Sequence, residues 1–489
     1  MSGAPATIQL ALISHTNNGK TTLARTLLGA DVGEVRDAAH VTVFAESHTL
    51  MSTQQGDRLV LWDTPGFGDS VRLMKRLAMS GNPIGWFLRE VLDRYRDRSF
   101  WLSQNALRAA RDEADVVLYL VNSAENPQDA GYLPSEMRIL EWLGKPVLVL
   151  LNQMGPPRPA AEEQAEQTRW KEHMVDYGVV REVLPLDAFA RCWIHERVFY
   201  DAIGALVAPE KQEAYGRLFS LWEENNARRF RQSMAVTAQQ LVDAARDRQM
   251  VEAPEKGMLA SALKIVGYGK GEDRKRQERA MNTLIGRLNL AIGQTTVHLL
   301  ALHKLDASEA PKINARVSKN FVVRAPVEKA QAALLGAILS GAATGLSADL
   351  AAGGLTLGTG ALLGGVIGAL AFSGAAWGFN VGTDRKVPSI TLSGEFLRTL
   401  LVSSVLRYLA VAHFGRGRGN FVEGEAPPFW QEEVEAAVAA REAEVEALWL
   451  QLRDHEEPDL APASALVTAI TSEVLEKLYR QDQAILHQN

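Results

Sequence analysis

Cysteine is almost missing from this chain of 489 residues: Cys192 stands alone. An internal disulfide is therefore excluded, and the composition suits a reducing compartment. No catalytic partner for the thiol is visible, so Cys192 reads as a small buried hydrophobe. A large excess of either charge is also lacking. A net charge of −6 gives no general attraction to nucleic acid, and the basic cluster DRKRQER at 273–279 is broken by acids, as in a solvated helix face. No nucleic-acid partner is expected. The N-terminus has no basic region, and the apolar run from Ile8 to Ile13 is shorter than a signal-peptide core, so a cytoplasmic location is expected rather than export through a cleavable signal. No internal repeat of domain size is present.

What remains is globular in composition, 47% hydrophobic and 22% charged, which excludes a wholly disordered or fibrous chain. The length implies about two to four domains. Over 1–210, short β-rich runs at 8–14, 58–63, 115–122 and 146–152 alternate with helical spacing. That pattern predicts an α/β domain with a mostly parallel sheet, whose functional loops sit at the carboxyl ends of the strands. Over 211–325 the chain reads as helical, led by an amphipathic stripe of Tyr215, Leu218, Trp222, Phe230, Met234 and Leu241. An apolar Gly/Ala-rich helical hairpin is expected at 326–386. A closing helical region at 387–489 includes helices over 389–415 and 429–457, the second with a stripe of Trp430, Val434, Val438, Val445, Leu448 and Leu452.

The chemistry concentrates in SHTNNGKTT at 14–22. Gly19, Lys20 and Thr21 complete the second half of a phosphate-binding loop between a strand and a helix, while Ser14 replaces the first glycine. Serine serves there if the backbone angles are not reserved for glycine. Backbone N–H groups over Ser14, Asn17, Asn18, Gly19 and Thr22 would cradle phosphates, Lys20 would neutralise the β/γ oxygens, and Thr21 would bind magnesium. Downstream, WDTPGFG follows the strand 58–63, so Asp63 would hold the metal through water and the Gly66 N–H would face a γ-phosphate. A lone Asp63 would read as a turn residue, but the two motifs in this order point to a nucleotide site.

With these motifs in hand, the chain resembles GTPases of the Era and tRNA-modification type, whose loop is Gly-x-Pro-Asn-x-Gly-Lys-Ser/Thr; Asn17 matches the asparagine. The resemblance implies GTP with Mg2+ and makes Asn17 a candidate K+ ligand, the other reading being a loop asparagine that turns the chain. Phe67 stands where Ras-like proteins carry a water-orienting glutamine, so hydrolysis is expected to be slow or to depend on potassium, a partner or self-association, including a nucleotide-dependent homodimer. Thr42 best matches the magnesium-binding threonine of the first switch, or else is a β-branched residue of the incoming strand. The family's Asn-Lys-x-Asp appears here as NQMG: Asn152 is kept, Gln153 replaces lysine, and Gly155 replaces the guanine-selecting carboxylate. Asp187 and Ala188 sit where a Ser-Ala pair contacts the base. The second switch, about 68–115, is long and carries Trp86, Phe87, Phe100 and Trp101 among arginines, either as a nucleotide-sensitive docking surface or as the core of an inserted helical pair.

The run 332–382 spaces Gly360, Gly364 and Gly368, then Gly374, Gly378 and Gly382, four apart between basic flanks. It is long enough for two spans of about 20 residues and suits close helix packing. Contact with a membrane or membrane protein at the inner membrane competes with a buried Ala/Gly hairpin. Taken whole, the order of parts resembles a bacterial family in which an Era-like GTPase is fused to a domain of unknown function, DUF3482. The resemblance implies a nucleotide switch. A nucleotide-binding scaffold with little turnover and relaxed base choice, or a membrane-remodelling or pore-forming effector gated by nucleotide, are the competing functions.

Overall fold

The structure is a computed structural model that describes residues 4–16, 18–28, 46–64, 67, 70, 107, 110–155, 158–186, 192–251, 269–305, 377–379, 389–413, 428–454 and 459–479. The chain divides into two compact units. The first comprises Met1–Arg228 with Ala412–Gly424 and Tyr479–Asn489, and the second Arg229–Val411 with Glu425–Leu478.

The first unit is a three-layer α/β structure. Its strands are β1 (Thr7–Ser14), β2 (Glu46–Ser52), β3 (Arg58–Asp63), β4 (Val116–Asn122), β5 (Val147–Asn152) and β6 (Val180–Pro185), in the sheet order β2-β3-β1-β4-β5-β6. Every neighbouring pair is parallel except β2 with β3. Helices α1 (Lys20–Leu28), α2 (Leu133–Leu143), α3 (Ala160–Met174) and α4 (Trp193–Leu206) follow β1, β4, β5 and β6. Because side chains alternate along a strand, one face buries Ile8, Leu10, Leu12, Leu59, Leu61 and Leu118 with α1 and α4, and the other buries Ala11, Ile13, Val117, Tyr119 and Val149 with α2 and α3. Burial on both faces is why β4 and β5 read as unbroken apolar runs. Register then fixes the edge that matters: Leu12 lies opposite Asp63, Ser14 opposite Leu120, and Asn122 opposite Asn152. The carboxyl ends of β1, β3, β4 and β5 therefore open on one side.

Helix α5 (Gln212–Arg246) supplies residues to both units. In the first, Tyr215, Leu218 and Trp222 of the expected stripe join the core beside α4. Two ion pairs fasten its start to the sheet. Lys211 Nζ reaches both Asp115 oxygens at 2.8 Å, and Arg217 grips the buried Asp57 carboxylate through Nε and Nη2, each at 2.8 Å. Asp57 lies in the β2–β3 turn and also accepts from Thr53 Oγ1 at 2.7 Å and from the Ala6 N–H at 3.2 Å.

The second unit is mostly helical, around a three-stranded antiparallel sheet of β7 (Arg248–Met250), β8 (Trp377–Phe379) and β9 (Ser389–Leu392), in the order β7-β9-β8. Its helices are α6 (Gly269–Leu302), α7 (Gly394–Ala412, ending where the first unit resumes), α8 (Pro428–Ala439), α9 (Glu442–Asp454) and α10 (Leu460–Leu478). Helix α7 is apolar over most of its surface, and most of its residues between Phe396 and Val411 are buried.

Three sequence expectations are corrected here. Residues 389–392 start as a strand, not a helix, because SITL pairs with both β7 and β8. The helix expected at 429–457 is two, parted at Ala440 and Arg441, although its whole stripe is buried. Within the run expected to form an apolar helical hairpin, Trp377–Phe379 is a strand; the glycine-spaced remainder of 332–382 lies outside the described residues. Among the described residues, no helix is long and apolar enough to cross a membrane.

The Arg217 grip holds the Asp57 carboxyl well below the usual carboxylate range. A depressed folded value means that the pair's stabilisation is complete above the ordinary aspartate value near 4 and is lost as pH falls below it. In urea unfolding of the first unit, Asp57→Asn should lower the midpoint at neutral pH, and the gap to the native chain should close as the pH drops below about 4. A gap constant across that range would refute the assignment.

Candidate functional site

The site is built on the turn from β1 into α1. Ser14, wholly buried, donates from Oγ to the His15 carbonyl at 2.5 Å and accepts from Lys20 Nζ at 3.0 Å. The only described non-glycine residues with positive φ are Gln153 and Lys304, so the backbone at Ser14 makes no demand for glycine. Gly19 is different: its φ is +85°, and a Cβ there would come within 2.6 Å of Asn152 Nδ2. The turn is tied down from two strands, since Asn18 Nδ2 donates to the Leu120 carbonyl at 3.2 Å and Asn152 Nδ2 to the Asn18 carbonyl at 2.8 Å.

Lys20 is 8% exposed. Burial lowers its pKa, and the charges of Asp63 and Glu136 oppose that shift. A buried ammonium of this kind is stabilised by an anion placed against it. Beside it, Thr21 Oγ1 donates to Asp63 Oδ2 at 2.7 Å, bringing a hydroxyl from α1 and a carboxylate from the end of β3 to one point. Both are hard oxygen donors of the kind magnesium takes, and one or two such groups suffice when water and phosphate complete the shell. The donor set therefore fits that ion. Among the described residues, no cluster of three or more His, Cys, Asp or Glu side chains offers a different metal site. Thr22, mostly buried, faces the core side of α1, and its carbonyl accepts from Thr26 Oγ1 at 3.1 Å.

The first residue after DTPG is fastened directly to this turn. Phe67 pairs with His15 in a parallel bridge, its N–H donates to the Ser14 carbonyl at 3.0 Å, and its carbonyl accepts from Thr16 Oγ1 at 3.0 Å. The ring is 1% exposed in the α2/α3 face of the core. At the far end, Asn152 is spent on the turn, Gln153 takes a left-handed φ of +59°, and Gly155 has a φ of +81°. Asn17, Thr42, Gly66, Asp187 and Ala188 lie outside the described residues, as does most of the second-switch segment.

A group of residues that sequence reasoning missed lies against the turn. Glu136, on α2 and fully buried, meets His15 Nδ1 at 2.7 Å and accepts from Tyr119 Oη at 2.5 Å. The His15 ring stacks on Tyr132 at 4.1 Å between centroids, and Tyr132 in turn donates to Glu125 at 2.7 Å. Burial pushes the Glu136 carboxyl up, and its bonds to His15 and Tyr119 pull it back down. The available signal was an acid on the apolar face of α2, between Leu133, Met137 and Leu140. Such a residue is rarely buried without a partner.

With the geometry established, comparison with known proteins gives two family matches. Residues 180–480 match the model of a domain of unknown function, DUF3482, and residues 9–153 match that of the 50S ribosome-binding GTPases. Among solved structures, the chain is similar to an Era variant from Aquifex aeolicus bound to GDP and AlF4−, at 16% identity over 59% of this chain and 90% of that one, with a TM-score of 0.31. It is also similar to Era in complex with MgGDPNP and a segment of 16S ribosomal RNA, at 17% identity over 58% and 90%, with a TM-score of 0.30. A bacterial selenocysteine-specific elongation factor matches at 16% identity over 37% of this chain and 25% of its own, with a TM-score of 0.23. No curated protein matches the chain.

Two substitutions check the architecture of the turn. Gly19→Ala should cost about 1–3 kcal/mol, because it combines a left-handed backbone with a clash against Asn152. Glu136→Ala strands the buried Tyr119 hydroxyl and the His15 ring nitrogen, for about 2–3 kcal/mol. Thermal and urea unfolding would read both, and native-like midpoints would contradict the packing described.

Proposed function

The chain belongs to the DUF3482 family and carries a domain that matches the 50S ribosome-binding GTPases, and from that premise we propose that it is a magnesium-dependent GTP-binding switch with slow turnover. The observation that carries this reading is the meeting of Thr21 Oγ1 with Asp63 Oδ2 at 2.7 Å beside the buried Lys20. In the proposed state, Lys20 sits against the β/γ-phosphates, the backbone from Asn17 to Thr22 cradles them, and the Gly66 N–H faces the γ-phosphate. Thr21, Asp63 and Thr42 are the proposed magnesium-side residues, and Asn17 is the proposed potassium ligand. When bound, the cations supply positive charge where negative charge gathers on the transferring phosphoryl group. Asn152, Gln153, Asp187 and Ala188 are assigned to the base end.

Slow hydrolysis follows from Phe67, whose buried ring has no group to orient water. Stimulation by potassium, by a partner or by a second copy of the chain would compensate. We assign the helical part, with the glycine-spaced run 332–382, to engagement of a membrane or membrane protein from the cytoplasmic side. One observation favours a second reading, a nucleotide-binding scaffold with relaxed base choice: Gly155 offers no carboxylate, and the Asn152 amide already holds the turn.

The deciding experiment is titration of the full-length chain with fluorescent GTP and ATP analogues in magnesium, comparing potassium with sodium, alongside phosphate release. GTP-selective binding that Lys20→Ala abolishes while thermal unfolding stays cooperative is the expected outcome. Equal affinity for both nucleotides without turnover would favour the scaffold, and binding that survives Lys20→Ala would refute the site.

A further inference from the structure

The second unit contains a cleft of about 620 Å³ where the end of α5, β7, α6, β9 and α9 come together. That is the size range of small-molecule sites. Four arginines, Arg246, Arg248, Arg287 and Arg453, line its walls, and the last three are held in different ways. Arg287 on α6 is matched by a carboxylate, with Nε and Nη2 on Asp247 at 3.0 and 2.6 Å. Arg248 and Arg453 are held by main-chain carbonyls: Arg248 Nη2 donates to the Arg453 carbonyl at 2.8 Å, and Arg453 Nη2 to the Leu392 carbonyl at 2.6 Å. Neither has a carboxylate partner among the described residues.

Two like charges fixed side by side at the wall of a half-buried cleft are costly. Burial, and then the Arg248 charge, lower the Arg453 pKa. The carbonyls restrain both guanidinium groups without neutralising them. Planar guanidinium forks of this kind match a carboxylate or phosphate with two acceptor oxygens. Leu288, Leu392 and Leu452 add apolar wall beside them. Asp243 and Asp454 line the same cleft and would repel a second negative group.

We propose that this cleft binds a small molecule bearing one carboxylate or phosphate, seated on Arg248 and Arg453, with an apolar body and a neutral or cationic far end. Such a site would let the helical part respond to a metabolite independently of the nucleotide turn.

Isothermal titration and thermal unfolding of the full-length chain would test it, with benzoate, L-leucine and phenyl phosphate as single-anion probes and succinate as the doubly charged counterpart. At least one single-anion probe should bind at millimolar concentration or better, and succinate more weakly than that probe. Arg248→Gln should weaken that binding about tenfold or more, the scale of a lost charge-assisted hydrogen bond. This substitution leaves the Arg453 bond to Leu392 in place, so the fold is expected to survive. Leu288→Ala, on the apolar wall, serves as a second variant and should weaken binding of the bulkier probes. Failure of every probe, preference for succinate, or binding indifferent to Arg248→Gln with native-like unfolding would overturn the proposal.

Discussion

The hydrogen bond from the Asn152 amide to the Asn18 carbonyl is the contact on which the nucleotide turn depends. It reaches from the end of β5, across β4, to a loop leaving β1, and it can form only because Gly19 has no Cβ to stand in the way. The Asn18 amide returns the tie to Leu120 on β4. These ties fasten the loop to two strands of the sheet. Asn152 thus serves the turn directly, whereas Gly155 brings no side chain to it.

Much of the first unit was legible because buried parallel strands announce themselves as apolar runs, and β1, β3, β4 and β5 fall within a residue of where 8–14, 58–63, 115–122 and 146–152 place them. The Lys20, Thr21 and Asp63 grouping was legible for a related reason, since strand ends carry the loops. What escaped was set by partners distant in sequence. Ser389–Leu392 has too few residues to show a period of two, and it is a strand only because β7 and β8 flank it. The break at Ala440 and Arg441 involves no glycine or proline; Arg441 there bonds Glu473 on α10. His15 and Glu136 lie on separate elements, so a hydrophobicity pattern marks neither as half of a pair.

Several buried and half-buried charges among the described residues are held in contrasting ways. Asp57 is fully compensated by Arg217 and local donors. Glu136 is held by one imidazole and one phenol, and its charge also reaches Lys20. Lys20, Arg248 and Arg453 are restrained by oxygen atoms that carry no full charge, at 3.0, 2.8 and 2.6 Å. The first arrangement favours stability alone. The last leaves electrostatic work for a ligand to complete, and this separates a structural ion pair from a candidate binding group.

The antiparallel β2–β3 ribbon has one more property. Its turn is anchored at Asp57 to α5 and to the Ala6 backbone, while its open end carries Asp63 to the nucleotide turn. A ribbon pinned at the turn cannot slide by one register step along β1, because each step would carry Asp57 away from Arg217 as well as Asp63 away from Thr21. The ribbon thus ties the two ends of β3 to separate partners, Arg217 on α5 and Thr21 on α1.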